Sequence, residues 1–205
     1  MNIGIYLYDN AEVLDFSGPF EVFTTASRVY AREHPKEGQL FKVFLIAAEK
    51  RTIHARAEFM VMPHYTIRDH PPLDVLIIPG GLHTSELSNH ASMDWISRVS
   101  ESSRLTTSVC TGAFLLAQAG VLIDHACTSH REDIPDLRRM FPELKVEEGV
   151  PWVDQGRIIT SAGISAGIEM SLHMITRLVN KDLALKTARQ MQYAWNSESL
   201  SKEDQ

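Results

Sequence analysis

The chain has 205 residues, enough for one domain that buries most of its apolar surface in a single core. Its 44% hydrophobic and 22% charged residues are ordinary globular usage, which argues against a disordered chain, and no apolar run approaches the roughly 20 residues that span a bilayer. A formal charge of −6 with no dense Lys/Arg cluster would repel a phosphate backbone, so nucleic acid is not an expected partner. The start, Met1-Asn2-Ile3-Gly4-Ile5, lacks the basic segment and cleavage site of a secretory leader, and a cytoplasmic location is expected.

In chain order, residues 2–8 read as a strand. Gly18-Pro19-Phe20-Glu21 then reads as a helix start, with Gly18 as cap, Pro19 at the first helical position, and the helix continuing to about Ala31. Residues 41–47 form a second strand, and the segments 52–54 and 57–62 suit a short hairpin beside the main sheet. Asp74-Val75-Leu76-Ile77-Ile78 is a continuous apolar run ending in Pro79-Gly80-Gly81, the pattern of a strand buried on both faces.

A helix over 90–102 returns the chain to a strand over 105–109, and an apolar helix over 111–119 follows, stopped by Gly120. Further on, 134–140 is helical, 157–160 is a strand after the turn Asp154-Gln155-Gly156, and Ile164, Ile168, Leu172, Ile175 and Val179 mark one stripe of a helix beginning near Gly163. On that helix Glu169 and His173 have the spacing of a surface pair. A last helix over 182–193 leads to a polar tail, so the chain divides into one domain over 1–196 and a tail over 197–205. Alternating strands and helices predict an α/β fold whose mostly parallel sheet is covered on both faces.

In such sheets ligands bind beyond the carboxyl ends of the strands. Ser108-Val109-Cys110-Thr111-Gly112 lies at one of these ends with the spacing of a nucleophile elbow, Cys in place of Ser. A thiol at the first turn of a helix is expected to be acidified, with pKa values of about 3.5–7.5 in known cases. The plainer alternative is a small buried hydrophobe. Cys127 has no elbow glycine and reads as a packed thiol, and two cysteines in such patterned segments do not look like a disulfide framework.

A nucleophile needs a proton partner and a place for developing charge. Asp15, between Leu14 and Phe16, suits a carboxyl in an apolar niche whose pKa rises for acid/base work; the alternative is simple capping of a helix. Gly80 and Gly81 offer amides as an anion-stabilising site, or merely a turn. His130, with Glu132 or Asp133 as orienter, could complete a Cys–His arrangement or lie on the surface. No group of His, Cys and carboxylates has metal-ligand spacing, and the glycine runs lack the phosphate-loop pattern.

Together, Leu14-Asp15-Phe16-Ser17-Gly18-Pro19, Ile78-Pro79-Gly80-Gly81, Ser108-Val109-Cys110-Thr111-Gly112-Ala113, Thr128-Ser129-His130 and the run from Thr160 to Ile168 resemble the ThiJ/PfpI superfamily over almost the whole chain. Within it the chain is similar to the isonitrile hydratase branch and to the amidotransferase-like sensor domains of AraC-type regulators. The resemblance implies a flavodoxin-like three-layer sandwich with a nucleophile elbow, and a homodimer. It places the nucleophile on Cys110, the acidic partner on Asp15, a hydroxyl and backbone donor on Thr111, the charge-stabilising amide on Gly81, and a histidine near the cysteine on His130.

Thr111 stands where the protease-like branch has His, which counts against peptide hydrolysis. Arg131 stands where hydratase-like sequences tend to have Trp, a departure that bears on the substrate. The activity implied is hydration of an isonitrile, a small electrophile, to an N-substituted formamide through a covalent thioimidate, with no metal or redox cofactor. A non-catalytic redox or small-molecule sensor, and glyoxalase-like or deglycase-like action on small aldehydes, are the alternatives.

Overall fold

The apolar runs become the middle of one twisted sheet in the computed structural model, which describes residues 1–195. In chain order the elements are β1 (Asn2–Leu7), α1 (Val13–Glu33), β2 (Lys42–Ala47), β3 (Ile53–Ala55), β4 (Phe59–Val61), β5 (Tyr65–Thr66), β6 (Val75–Ile78), α2 (His90–Ser102), β7 (Leu105–Val109) and α3 (Gly112–Gln118). They continue with β8 (Ala126–Cys127), α4 (Ile134–Met140), β9 (Lys145–Val146), β10 (Trp152–Asp154), β11 (Ile158–Ser161), α5 (Ala166–Leu178) and α6 (Lys181–Gln190). The sheet order is β10-β11-β7-β6-β1-β2-β5, parallel throughout except for β10 at one edge.

This is the expected flavodoxin-like α/β architecture. Helices α1, α5 and α6 pack together, as do α2 and α3. Trp95 of α2 lies over Tyr6 of β1, 5.4 Å between ring centroids, and both are buried. The central strands β6 and β7 are buried at every position, which is why their sequences show no alternation. Chain order reverses beside β1, whose neighbours are β2 on one side and β6 on the other. The crevice at the carboxyl ends of β1, β6 and β7 is therefore the natural ligand site.

Three local expectations are corrected. Helix α1 begins at Val13, not at Gly18-Pro19, so Asp15 lies in its first turn and Pro19 lies inside the helix. Burial of Phe16, Val22, Phe23, Ala26 and Val29 along this helix outweighs the hydrogen bond that Pro19 cannot donate. Helix α5 begins at Ala166, which leaves Ile164 outside it and 39% exposed. His173 does not pair with Glu169 on the helix surface; its Nε2 meets Asp154 Oδ2 at 2.6 Å, while Glu169 accepts from the Tyr193 hydroxyl at 3.2 Å.

The hairpin is β3 with β4, a separate two-stranded sheet. The short strands β5, β8, β9 and β10 have too few residues to carry a period and were not anticipated. Among the described residues no helix is long and apolar enough to cross a membrane. The polar tail over 197–205 lies outside the described residues.

Candidate active site

The site is built at the ends of three neighbouring strands. At the end of β7 the chain turns sharply into α3, and Cys110 takes φ = 57°. A side-chain-bearing residue in this left-handed region costs on the order of 1–3 kcal/mol, so the surrounding structure must enforce it. The Cys110 amide donates to the Ser161 carbonyl at 3.1 Å, and its carbonyl accepts from Ser129 Oγ at 3.0 Å. Gly112 allows the close approach that follows: a Cβ there would stand 2.2 Å from the Ile78 carbonyl oxygen. The expected elbow is thus present, and its glycine is required by packing against β6.

Asp15 is fully buried. Its Oδ2 accepts from the Gly80 amide at 3.0 Å, and its Oδ1 accepts no other hydrogen bond of good geometry among the described residues. The Cys110 thiol is close enough to this carboxyl to feel its charge. Burial is the main influence on Asp15; the Gly80 amide opposes it, Glu12 adds repulsion, and the result is a pKa pushed up to about 7.

Burial, and then the Asp15 charge, also push the Cys110 thiol well above its ordinary range, although the Thr111 amide favours the thiolate. The expectation of an acidified, standing thiolate is therefore corrected. A cysteine only 6% exposed beside an anionic carboxyl is not ionised by one helix turn. Thiol and carboxyl are instead both pushed toward their neutral forms by burial.

The amides of Gly80 and Gly81 are also used differently from the expectation. Gly80 donates to Asp15, and Gly81 donates to Thr111 Oγ1 at 2.9 Å, with the Thr111 hydroxyl donating back to the Gly81 carbonyl at 3.1 Å. Both glycines hold side chains in place, and neither amide is free for an anion in this arrangement. The backbone amide that favours negative charge on the sulfur is that of Thr111.

His130 does reach the site. Its Nδ1 pairs with Asp133 Oδ2 at 2.9 Å, which selects Asp133 over Glu132 as the orienting group. Gly163 lets the ring and the cysteine share one space: a Cβ there would lie 2.6 Å from His130 Cδ2 and 2.8 Å from Cys110 Sγ. The pocket over Cys110 has a volume of about 220 Å³ and is edged by Glu12, Arg56, Leu82, His130 and Ile164. Arg131 is exposed and does not line it.

Sequence reasoning missed Glu12 and Arg56. Arg56 sits between β3 and β4, far along the chain from Cys110, and no spacing signal links them. Cys127 is fully buried, as expected of a packed thiol. Among the described residues no group of three or more His, Cys, Asp or Glu is placed to hold a metal ion.

A sequence profile of the DJ-1/PfpI family matches residues 1–177. The chain belongs to the DJ-1/PfpI family. It is 29% identical to an isonitrile hydratase from Pseudomonas putida over 195 residues, covering 95% of this chain and 79% of that protein. It is 25% identical over 183 residues to the HTH-type transcriptional regulator GbdR of Pseudomonas aeruginosa, covering 89% of this chain but only 48% of the regulator. Among solved structures, a ThiJ/PfpI family protein from Pseudomonas syringae matches with a TM-score of 0.82 at 23% identity, over 95% of this chain and 76% of that one. That last likeness concerns the fold. Enzymes and regulators thus share this DJ-1/PfpI scaffold.

Proposed function

We propose that the protein is a cysteine-dependent enzyme that hydrates an isonitrile to an N-substituted formamide. The observation that carries this reading is the buried Asp15–Cys110 pair, a carboxyl with a pKa pushed up to about 7 near a thiol that lines a small open pocket. The similarity to an isonitrile hydratase along 95% of the chain supports it.

The chemistry follows from the proton pair. Ionised Asp15 takes the thiol proton as Cys110 sulfur bonds to the terminal carbon of R–NC, and the same proton is delivered to that carbon, giving R–N=CH–S–Cys110. Water then adds to this carbon, one of its protons passing to nitrogen. Collapse of R–NH–CH(OH)–S–Cys110 breaks the C–S bond, returns the hydroxyl proton to sulfur and releases R–NH–CHO. Atoms balance as R–NC plus water, with Asp15 acting first as base and then as acid. The Thr111 amide favours negative charge on the sulfur and helps hold it there.

Incubation with a simple isonitrile, with formamide followed by proton NMR, tests the proposal. The wild type is expected to turn over and Cys110→Ala to lose at least about 10³-fold in rate. Equal rates would overturn it. A sensing reading draws on the regulator relative; a peroxide sensor is favoured by an exposed thiolate, whereas Cys110 is buried and its thiol is pushed above the ordinary range.

A further inference from the structure

We propose that Arg56 makes this pocket selective for substrates carrying a carboxylate beside the reactive carbon. The inference extends the cysteine-based reading of the same site and rests on it only in taking Cys110 as the reacting atom.

Arg56 enters the pocket from the β3–β4 hairpin, which is fastened to the loop ahead of α1. The Asn10 amide donates to the His54 carbonyl at 2.7 Å, the Arg56 amide to the Ala11 carbonyl at 2.9 Å, and the His54 amide to Asp9 Oδ1 at 3.0 Å. Immediately after Arg56, Ala57 and Glu58 both adopt the left-handed region, with φ of 55° and 59°. Two successive non-glycine residues there cost on the order of 1–3 kcal/mol each, and such strain collects where a side chain must be aimed. The strained turn directs the only Arg or Lys side chain that lines the pocket among the described residues.

The guanidinium is under-used. Its contact with Glu12 runs from Nε to Oε2 at 3.7 Å, beyond hydrogen-bond range. Glu12 sits at the N-cap of α1 yet makes no capping hydrogen bond with its side chain. Among the described residues the terminal nitrogens of Arg56 make no hydrogen bond. The other acid at the rim, Asp133, is already engaged by His130 at 2.9 Å. An open guanidinium fork matches a carboxylate through two parallel N–H···O bonds, and Glu12 holds it near the mouth until a substrate anion arrives. A volume of about 220 Å³ equals about seven waters of liquid, so the carboxylate and the reacting carbon must be close together.

Iodoacetate and iodoacetamide differ little except in charge, and both alkylate a thiol without turnover. Their rates of labelling at Cys110, located by peptide mass mapping and normalised to a free thiol, form the primary test. The iodoacetate-to-iodoacetamide ratio is expected to be at least tenfold higher for wild type than for Arg56→Met, intermediate for Arg56→Lys, and higher again for Glu12→Gln. Equal ratios for wild type and Arg56→Met would overturn the proposal, and so would failure of both reagents to reach Cys110.

The kcat/KM ratio for isocyanoacetate over its methyl ester should fall in parallel in Arg56→Met. Charge-selective labelling without formamide would sink the hydratase reading and leave the Arg56 proposal standing. Formamide production with charge-blind labelling would do the reverse.

Discussion

Two aspartates at different places in the sheet system show how partners decide what a carboxyl does. Asp154, on β10, is ringed by hydrogen-bond partners: Arg177 Nη1 lies 2.8 and 2.9 Å from its two oxygens, His173 Nε2 is at 2.6 Å and the Gly156 amide at 2.9 Å. Burial pushes its pKa up, but the His173 hydrogen bond, the Gly156 amide and the Arg177 charge outweigh that and hold it below the usual range. Asp15 is more deeply buried and has one backbone amide, a thiol and a nearby anionic Glu12, so desolvation wins and its pKa rises to about 7. One carboxylate is a fixed anion that ties a helix to a strand. The other is pushed toward its neutral form, the property that the proposed acid/base role requires.

The comparison breaks most sharply at Asp15. Asp15→Asn keeps an acceptor for the Gly80 amide but removes the base, and formamide production should fall by about 10²–10⁴-fold. In the wild type the rate should climb as pH rises through about 7, because the ionised carboxyl takes the thiol proton. An unchanged pH profile in Asp15→Asn would remove Asp15 from the mechanism.

Stability gives the next largest effect, and with opposite signs at the two sites. The folded pKa of Asp15 lies above its unfolded value, so the folded state binds the extra proton. The associated stability is full below about pH 4 and is lost as pH rises to about 7. The gap corresponds to roughly 4 kcal/mol as an upper figure. Urea midpoints should therefore fall across that window for wild type relative to Asp15→Asn.

For Asp154 the folded pKa is depressed, so its contribution is present above the ordinary carboxylate value and is lost as pH falls through the folded value. Asp154→Asn should cost about 1–3 kcal/mol at pH 7 and much less at pH 3, read from the same midpoints. His173→Gln retains a donor toward Asp154 and leaves Arg177 in place, so a loss below about 1 kcal/mol is expected. A larger loss would make the imidazole, rather than the guanidinium, the main partner of Asp154.

Legibility in the sequence followed how local each feature is. The central strands and the 108–112 elbow were readable because a buried strand needs a continuous apolar run, and a tight strand-to-helix turn needs a small residue beside it. The start of α1 is not legible locally: Gly18-Pro19 satisfies the rules for a helix beginning, whereas the helix that buries Phe16 and Val22 begins at Val13. The Glu169–His173 spacing misled for a similar reason: neighbours on a helix surface compete with partners from another element, and Asp154 offered a better one. Arg56 had no local signature at all.

The sequence by itself determined the α/β class, the family resemblance and the presence of a cysteine on an elbow, since each is written in contiguous patterns and their order. Tertiary structure alone decided the state of that cysteine. Ionisation depends on water, charge and donors close by, and these come from burial, from Asp15 and Asp133, distant in the chain, and from the neighbouring Thr111 amide. Burial and the Asp15 charge thus push the Cys110 thiol above its ordinary range, the reverse of what its position at a helix start predicts, and Arg56 lines the pocket beside it.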